Sequence, residues 1–428
     1  MSTKTRLFDS LYGQIEFSPE LQQLLLAPIV QRLRHVKLSN IDSLAMPGIS
    51  GGSRYEHVIG VAHLASKIAF AKRLPTRDFL CLTAAALLHD WAITAFGHLV
   101  EEGFAYSGIR FDHEQKLQEL AGGSDPKELG GVNRQLFCGR EPGLMPWINS
   151  IVPQGDRDAF LVDIVSAIQG KGKFGKVISG EMDIDNIDGV YRIAYHIGLN
   201  VDRQLPQELV SRIVALNPVS GLPRFLHGSE HLIEAWLSTR SQVYRRLMPA
   251  QPDFAAKLML LRCTILACAA REIQSPDWNL TDFEFISKLK HSESIECRKT
   301  VERWQVGEFW DTTPLFWMSG TRPSFVDLAD LSAELARKLR RDCLAYAIKD
   351  KRTRLCRIEW DDGEAGTFGD SPNGWLFGVG SPVKRPFSQN ETNLILQEVH
   401  ATFDARVLYA EDDRATSSVS PDEQYQLL

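Results

Sequence analysis

The stretch FLCLTAAALLHDWAITAFGH, residues 79–98, decides how this chain is read. Its first ten residues are almost wholly apolar and predict a buried helix, which delivers His89 and Asp90 near its C-terminal end. An ionisable pair beside such a run needs a compensating partner, because burying charge or polarity alone is costly. Two other segments offer one. SRYEHVIGVAHLASKIA, residues 53–69, places His57, Gly60, Val61, Leu64 and Ile68 on one face of a predicted helix. GEMDIDNIDGVYRIA, residues 180–194, carries Asp185 just ahead of the helical pattern Ile187, Val190, Tyr191 and Ala194. A lone histidine on an apolar helix is usually a satisfied core residue. Two imidazoles and two carboxylates from separate helices form a credible ligand set for one divalent ion such as Mn²⁺, Fe²⁺, Mg²⁺ or Zn²⁺.

Outward from these segments, most of residues 1–310 read as helix. SPELQQLLLAPIVQRLRHVKL (18–38) has helical spacing, with Ser18 as cap and Pro19 at the first turn. PGISGGSR (47–54) is a turn-rich loop, 121–146 a Gly/Pro-rich surface excursion, and KGKFGKVISGE (171–181) a mobile basic loop. A second helical block spans about 225–305. From about 340, CRIEWDD, GWLFGVG and RVLYAEDD alternate like short strands, and ATSSVSPDEQYQLL (415–428) is a loose polar tail. The expected class is mainly α, a helical core with a small α+β C-terminal region. The expected division is a catalytic helical domain at 1–215, a helical extension at 216–335 and an α+β region at 336–428.

The chain has 428 residues, 24% of them charged and 44% hydrophobic, which fits a globular protein of two or three domains. A net charge of −6 argues against nucleic-acid binding driven by bulk charge. Seven cysteines without a CxxC pair fit reduced thiols and a cytoplasmic location. The N-terminus lacks the apolar core of a signal peptide, and FAAKLMLLRCTILACAA is interrupted by Lys257 and Arg262, so no membrane span is expected.

The order His57, His89-Asp90, Asp185 resembles the HD superfamily of metal-dependent phosphohydrolases. The flanks narrow the likeness to its deoxynucleoside triphosphate triphosphohydrolase branch: the text from Phe8 to Ala65, FDHEQ at 111–115 and GEMDIDNIDGVYR at 180–192. The likeness is strong over about the first 200 residues, weakens through 225–310 and is poor after about 330. It implies an HD-type helical core, one divalent ion on His57, His89, Asp90 and Asp185, and a homo-oligomer. It also implies His113 as general acid, oriented by Glu114 or Glu101, and Arg54 as a phosphate grip that assists catalysis. Substrate contacts are expected from Arg54, His98, Asn186 and Arg192. Lys171, Lys173 and Lys176, like Arg240, Arg245 and Arg246, read more simply as solvated cations.

The chain departs from the family pattern around the substrate. Ile93 stands where the family has a histidine, and Asn186 where it has a phosphate-binding lysine or arginine. Gly189 replaces a tyrosine that packs on the sugar. Ile193 and the vicinity of Leu38 replace its polar sugar contacts. Gln31 and Arg34 match residues of a regulatory nucleotide site, but Leu26 replaces the aspartate that reads guanine there. A site without hydroxyl-binding groups discriminates poorly. The expected activity is hydrolysis of a (deoxy)nucleoside triphosphate to nucleoside and triphosphate. A monophosphatase, an enzyme for a modified nucleotide, and a nucleotide-binding sensor with little turnover remain open.

Overall fold

The computed structural model describes residues 5–123, 143–217, 220–372 and 374–408. The polar tail and most of the Gly/Pro-rich excursion lie outside them. The protein is mainly α, with small sheets. It divides into two compact units, one of residues up to 309 together with 351–372, the other of 310–350 and the residues from 373 on. No described helix is long and apolar enough to cross a membrane.

The first unit is built around the helix Arg54–Ala71, which packs against Thr76–Leu88 and Ile184–His196. Ser53 starts it by accepting a hydrogen bond from the Glu56 amide at 3.3 Å. Gly60 permits the contact with Ile184–His196. A Cβ there would lie 2.0 Å from Asp188 Oδ1 and 2.3 Å from Arg192 Nη2. Val58, Val61, Leu64, Ala84, Leu87, Ile187 and Val190 fill the space between these helices. The helical block continues through Glu230–Leu247, Gln251–Ala269, Asp282–Lys290 and Ile295–Gln305. Thr5–Asp9 and Gly13–Phe17 form a hairpin. A four-stranded sheet runs Ile213–Leu216, Pro223–Phe225, Cys356–Trp360, Ala365–Phe368, and its middle pair is parallel.

The second unit is α+β. Its central strand Gly374–Ser381 pairs antiparallel with Leu344–Lys349 on one side and with Phe316–Ser319 and Asp311–Thr312 on the other. Helices Phe325–Leu339 and Gln389–Phe403 each begin with a reciprocal capping box, Ser324 with Asp327 and Ser388 with Glu391.

Two local expectations need correction. The helix expected over 18–38 is broken into Pro19–Leu25, Pro28–Arg32 and a short 3₁₀ turn, because Pro28 lacks an amide donor and forces Ala27 out of helical geometry. The segment 171–181 is only partly a loop. Gly175–Ile178 forms a helical turn whose Val177 and Ile178 are buried in the main core.

Candidate metal centre and its acid–base neighbours

Three helical segments deliver the four side chains. His57 lies in the first turn of Arg54–Ala71, His89 and Asp90 follow the end of Thr76–Leu88, and Asp185 lies in the first turn of Ile184–His196. The ligand atoms of His57, His89 and Asp90 all lie within 4.8 Å of one another. Asp185 Oδ1 is 2.9 Å from His57 Nε2 and 3.6 Å from His89 Nε2. Each ring is oriented from behind. His57 Nδ1 is 2.7 Å from Asp188 Oδ2, and His89 Nδ1 donates to the Ala86 carbonyl at 2.8 Å. A carbonyl only accepts, so neutral His89 carries its lone pair on Nε2. That Nε2 is enclosed and has no hydrogen-bond partner, as a ligand atom facing a cation would be. The cluster could hold a metal ion.

Without a metal the same carboxylates hold protons on the rings. Burial disfavours charged His57, but hydrogen bonds to Asp185 and Asp188 outweigh it and raise its pKa to about 10. A metal must therefore displace a proton that His57 carries at neutral pH. Mn²⁺ affinity is expected to rise with pH from 6 to 8, about tenfold per unit for each proton released. Equilibrium dialysis at three pH values checks this, and a flat profile contradicts it.

Arg54 Nη1 binds Asp90 Oδ2 at 2.7 Å and Nη2 binds Asn40 Oδ1 at 3.2 Å, while its buried Nε has no partner. Burial opposes ionisation of Asp90, yet the Arg54 charge holds its pKa well below the usual range. Beside this lies a second group. Glu101 accepts from His98 Nδ1 at 2.8 Å, and its other oxygen makes an ion-pair contact with His113 Nδ1 at 3.0 Å. Burial disfavours the charged form of His113, but Glu101 outweighs it and moves the pKa up. Glu101, not Glu114, orients this ring. The Glu114 backbone amide takes part in the Asp112 cap at the helix start.

The sequence of the chain matches known proteins. It is 29% identical over 219 residues to the deoxynucleoside triphosphate triphosphohydrolase SAMHD1 of Mus musculus, covering 45% of this chain and 31% of that protein. It is 37% identical over 103 residues to the protein of the same name in Danio rerio, covering 22% and 16%. It is 24% identical over 314 residues to an uncharacterized protein of Methanocaldococcus jannaschii, covering 72% and 61%. These matches support a likeness to the HD-domain, dNTPase-like branch. No family model matches it. The match spans less than a third of the mouse relative's length.

Within this site, Arg192 is placed otherwise than expected. It is fully enclosed, bound twice to Asp188 at 2.9 Å and, through Nη1, to Asp9 and Glu56 at 3.0 Å. Its donors are committed to carboxylates, one of which, Asp188, also holds His57, and its side chain is 0% exposed. Asn186 is likewise committed. Its Nδ2 donates to Asp183 at 2.8 Å and its Oδ1 accepts from Arg354 at 2.7 Å and Arg240 at 3.2 Å.

Sequence reasoning passed over Asp188 and Arg354 and read Arg240 as a solvated cation. Asp188 was signalled by its spacing, three residues after Asp185 on the same helix. Arg240 is 5% exposed, stacks 4.7 Å from the Tyr244 ring and has a buried Nε without a partner, unlike a solvated cation. Lys173 is such a cation, paired with Asp78 at 2.6 Å. Ile93 is fully buried. A Cβ on Gly189 would meet His57 Cε1 at 3.7 Å, so no side chain fills the space beside that ring. Gln31 bonds the Leu25 carbonyl and the Tyr55 hydroxyl, and Arg34 is exposed.

Proposed function

We propose that this chain is a metal-dependent phosphohydrolase acting on a (deoxy)nucleoside triphosphate and releasing nucleoside and triphosphate. The convergence of His57, His89, Asp90 and Asp185, with an enclosed and unpartnered His89 Nε2, carries the reading. A divalent ion held there would supply Lewis-acid polarisation and a water of lowered pKa. Arg54 and Arg240 supply fixed positive charge for phosphate oxygens. Arg54 is anchored by Asp90, and Arg240 by Asn186 and Tyr244. His113 holds the proton for the leaving oxygen on a ring whose other nitrogen is fixed by Glu101, and His98 meets the phosphates from the other side of the same carboxylate.

The raised pKa of His113 keeps a general acid protonated to higher pH than an isolated imidazole allows. Glu101→Gln removes the charge that raises it. The alkaline limb of kcat/KM is expected to move to lower pH, with a loss of about 10²–10⁴-fold at pH 8. A limb that stays in place would remove His113 from this role.

The deciding experiment is product analysis by ion-pairing chromatography. Protein loaded separately with Mn²⁺, Fe²⁺ or Mg²⁺ meets pooled dNTPs, NTPs and nucleoside monophosphates, with Asp185→Ala as control. Nucleoside plus triphosphate supports the proposal and identifies the base. Nucleoside plus orthophosphate from monophosphates selects the phosphatase alternative, which the apolar Ile93 favours. No product with any metal leaves the sensor. We carry forward as further proposals the three-part division at 215 and 335, a homo-oligomer and a cytoplasmic location.

A further inference from the structure

Arg354 lies 168 residues beyond Asn186 in sequence, in the part of the chain where the family likeness is poor. Its guanidinium is nevertheless spread across the segment that leads into the Asp185 helix. Nε donates to the Glu181 carbonyl at 2.6 Å, Nη1 to Asn186 Oδ1 at 2.7 Å, and Nη2 to the Gly180 carbonyl and to Asp183 Oδ2, the last at 3.2 Å. Asp183 is the N-cap of that helix. It accepts from the Asn186 amide at 2.7 Å and from the Gly180 amide at 2.9 Å, and its side chain is 2% exposed. Asp183 is thus a buried carboxylate held by two backbone amides, by the Asn186 side chain and by the Arg354 guanidinium, the one cation among these partners. Asn186 then passes the constraint on. The oxygen that accepts from Arg354 also accepts from Arg240.

We propose that Arg354 is a positioning residue of the phosphate site, one guanidinium that fixes the bearing of Asp185 through the Asp183 cap and the bearing of Arg240 through Asn186. Strand Cys356–Trp360, paired on both sides, holds Arg354 in place. Its neighbour Arg357 makes a separate, exposed ion pair with Glu181 and touches neither Asp183 nor Asn186. A lysine cannot replace Arg354, because a single ammonium cannot span a carboxylate, an amide and two carbonyls in a planar fork. The inference deepens the phosphohydrolase reading and rests on it for the ligands it names.

The test uses binding, not turnover. Mn²⁺ affinity of the whole protein is measured by equilibrium dialysis, and that of inorganic tripolyphosphate by calorimetry, for wild type, Arg354→Gln and Arg357→Gln, each checked for a cooperative melt. Arg354→Gln is expected to weaken Mn²⁺ by about 10–100-fold, the range for partners behind metal ligands, and tripolyphosphate with it. Arg357→Gln is expected to keep both affinities. A folded Arg354→Gln with wild-type affinities overturns the proposal, as does an equal loss in Arg357→Gln. Should Arg354→Gln not fold, Asn186→Ala removes the bridge between Arg354 and Arg240 together with one side-chain bond to Asp183, and leaves the other Arg354 contacts in place. It is expected to weaken tripolyphosphate several-fold, and unchanged binding overturns the proposal. Wild-type protein that binds both ligands and hydrolyses nothing overturns the hydrolase reading alone.

Discussion

Asp185→Ala is expected to fold and melt like the wild type while losing metal and turnover together. The side chain is 40% exposed and caps nothing, since the helix it begins is capped by Asp183. Its Oδ1 is the atom that approaches both imidazoles, at 2.9 and 3.6 Å. Removing a partner behind a metal ligand typically costs about 10–100-fold, so removing a ligand is expected to cost more than about a hundredfold in Mn²⁺ affinity. The loss in kcat/KM should be at least as large. His57 should also lose a proton more readily, because one of its two carboxylate partners is gone. Metal titration, turnover and the His57 proton resonance followed through pH give three readings of one change. Retained Mn²⁺ binding would remove Asp185 from the ligand set.

The largest effect on stability is expected at Arg192. Replacing it by Met keeps the stem but removes the guanidinium from two buried carboxylates, leaving Asp188 with His57, Asp9 with the Leu11 and Tyr12 amides, and Glu56 with His196 and Ser10. Breaking a buried pair by removing one partner typically costs about 3–5 kcal/mol, against about 1 kcal/mol for an ordinary substitution. The pH dependence gives a second check. Burial opposes ionised Asp188, but Arg192 and His57 outweigh it and hold the pKa down at about 2. A depressed carboxylate adds stability that is present above its unfolded pKa and lost as pH falls through its folded one. The deficit of Arg192→Met should therefore shrink as pH falls below about 4, where wild type surrenders the same contribution. Urea unfolding at pH 7 and at about pH 2.5 measures both. A deficit under about 1 kcal/mol at pH 7 would mean that Arg192 is not the counter-charge described here.

What the sequence made legible was local. The apolar run before His89 and the periodicity after Asp185 express themselves within a few residues, and these helices formed where the pattern predicted them. Pro28 shows the limit, since one missing amide outweighed good spacing in 18–38. The interior charges were harder to read. Arg192 and Asp188 are an i, i+4 pair, a spacing found most often on solvated helix faces. Only the approach of another helix at Gly60 turns them into a buried support for His57. Arg354 could not be read at all. Its position follows from a parallel pairing between Pro223–Phe225 and Cys356–Trp360, and nothing in either strand alone announces the other.

That pairing also sets an order of events during synthesis. The first unit is discontinuous, since residues 310–350 emerge between its two pieces. A nascent chain that has emerged to residue 309 has exposed the four candidate metal ligands but still lacks two of the four strands of its sheet and the guanidinium that fastens Gly180, Asp183 and Asn186. At roughly 5–20 residues per second, several seconds separate the emergence of residue 309 from that of residue 372. Through that interval the helical part must stay open to a late-arriving strand, so the ligand helices can gather early while the phosphate side of the site is closed only by the last stretch of this unit to leave the ribosome.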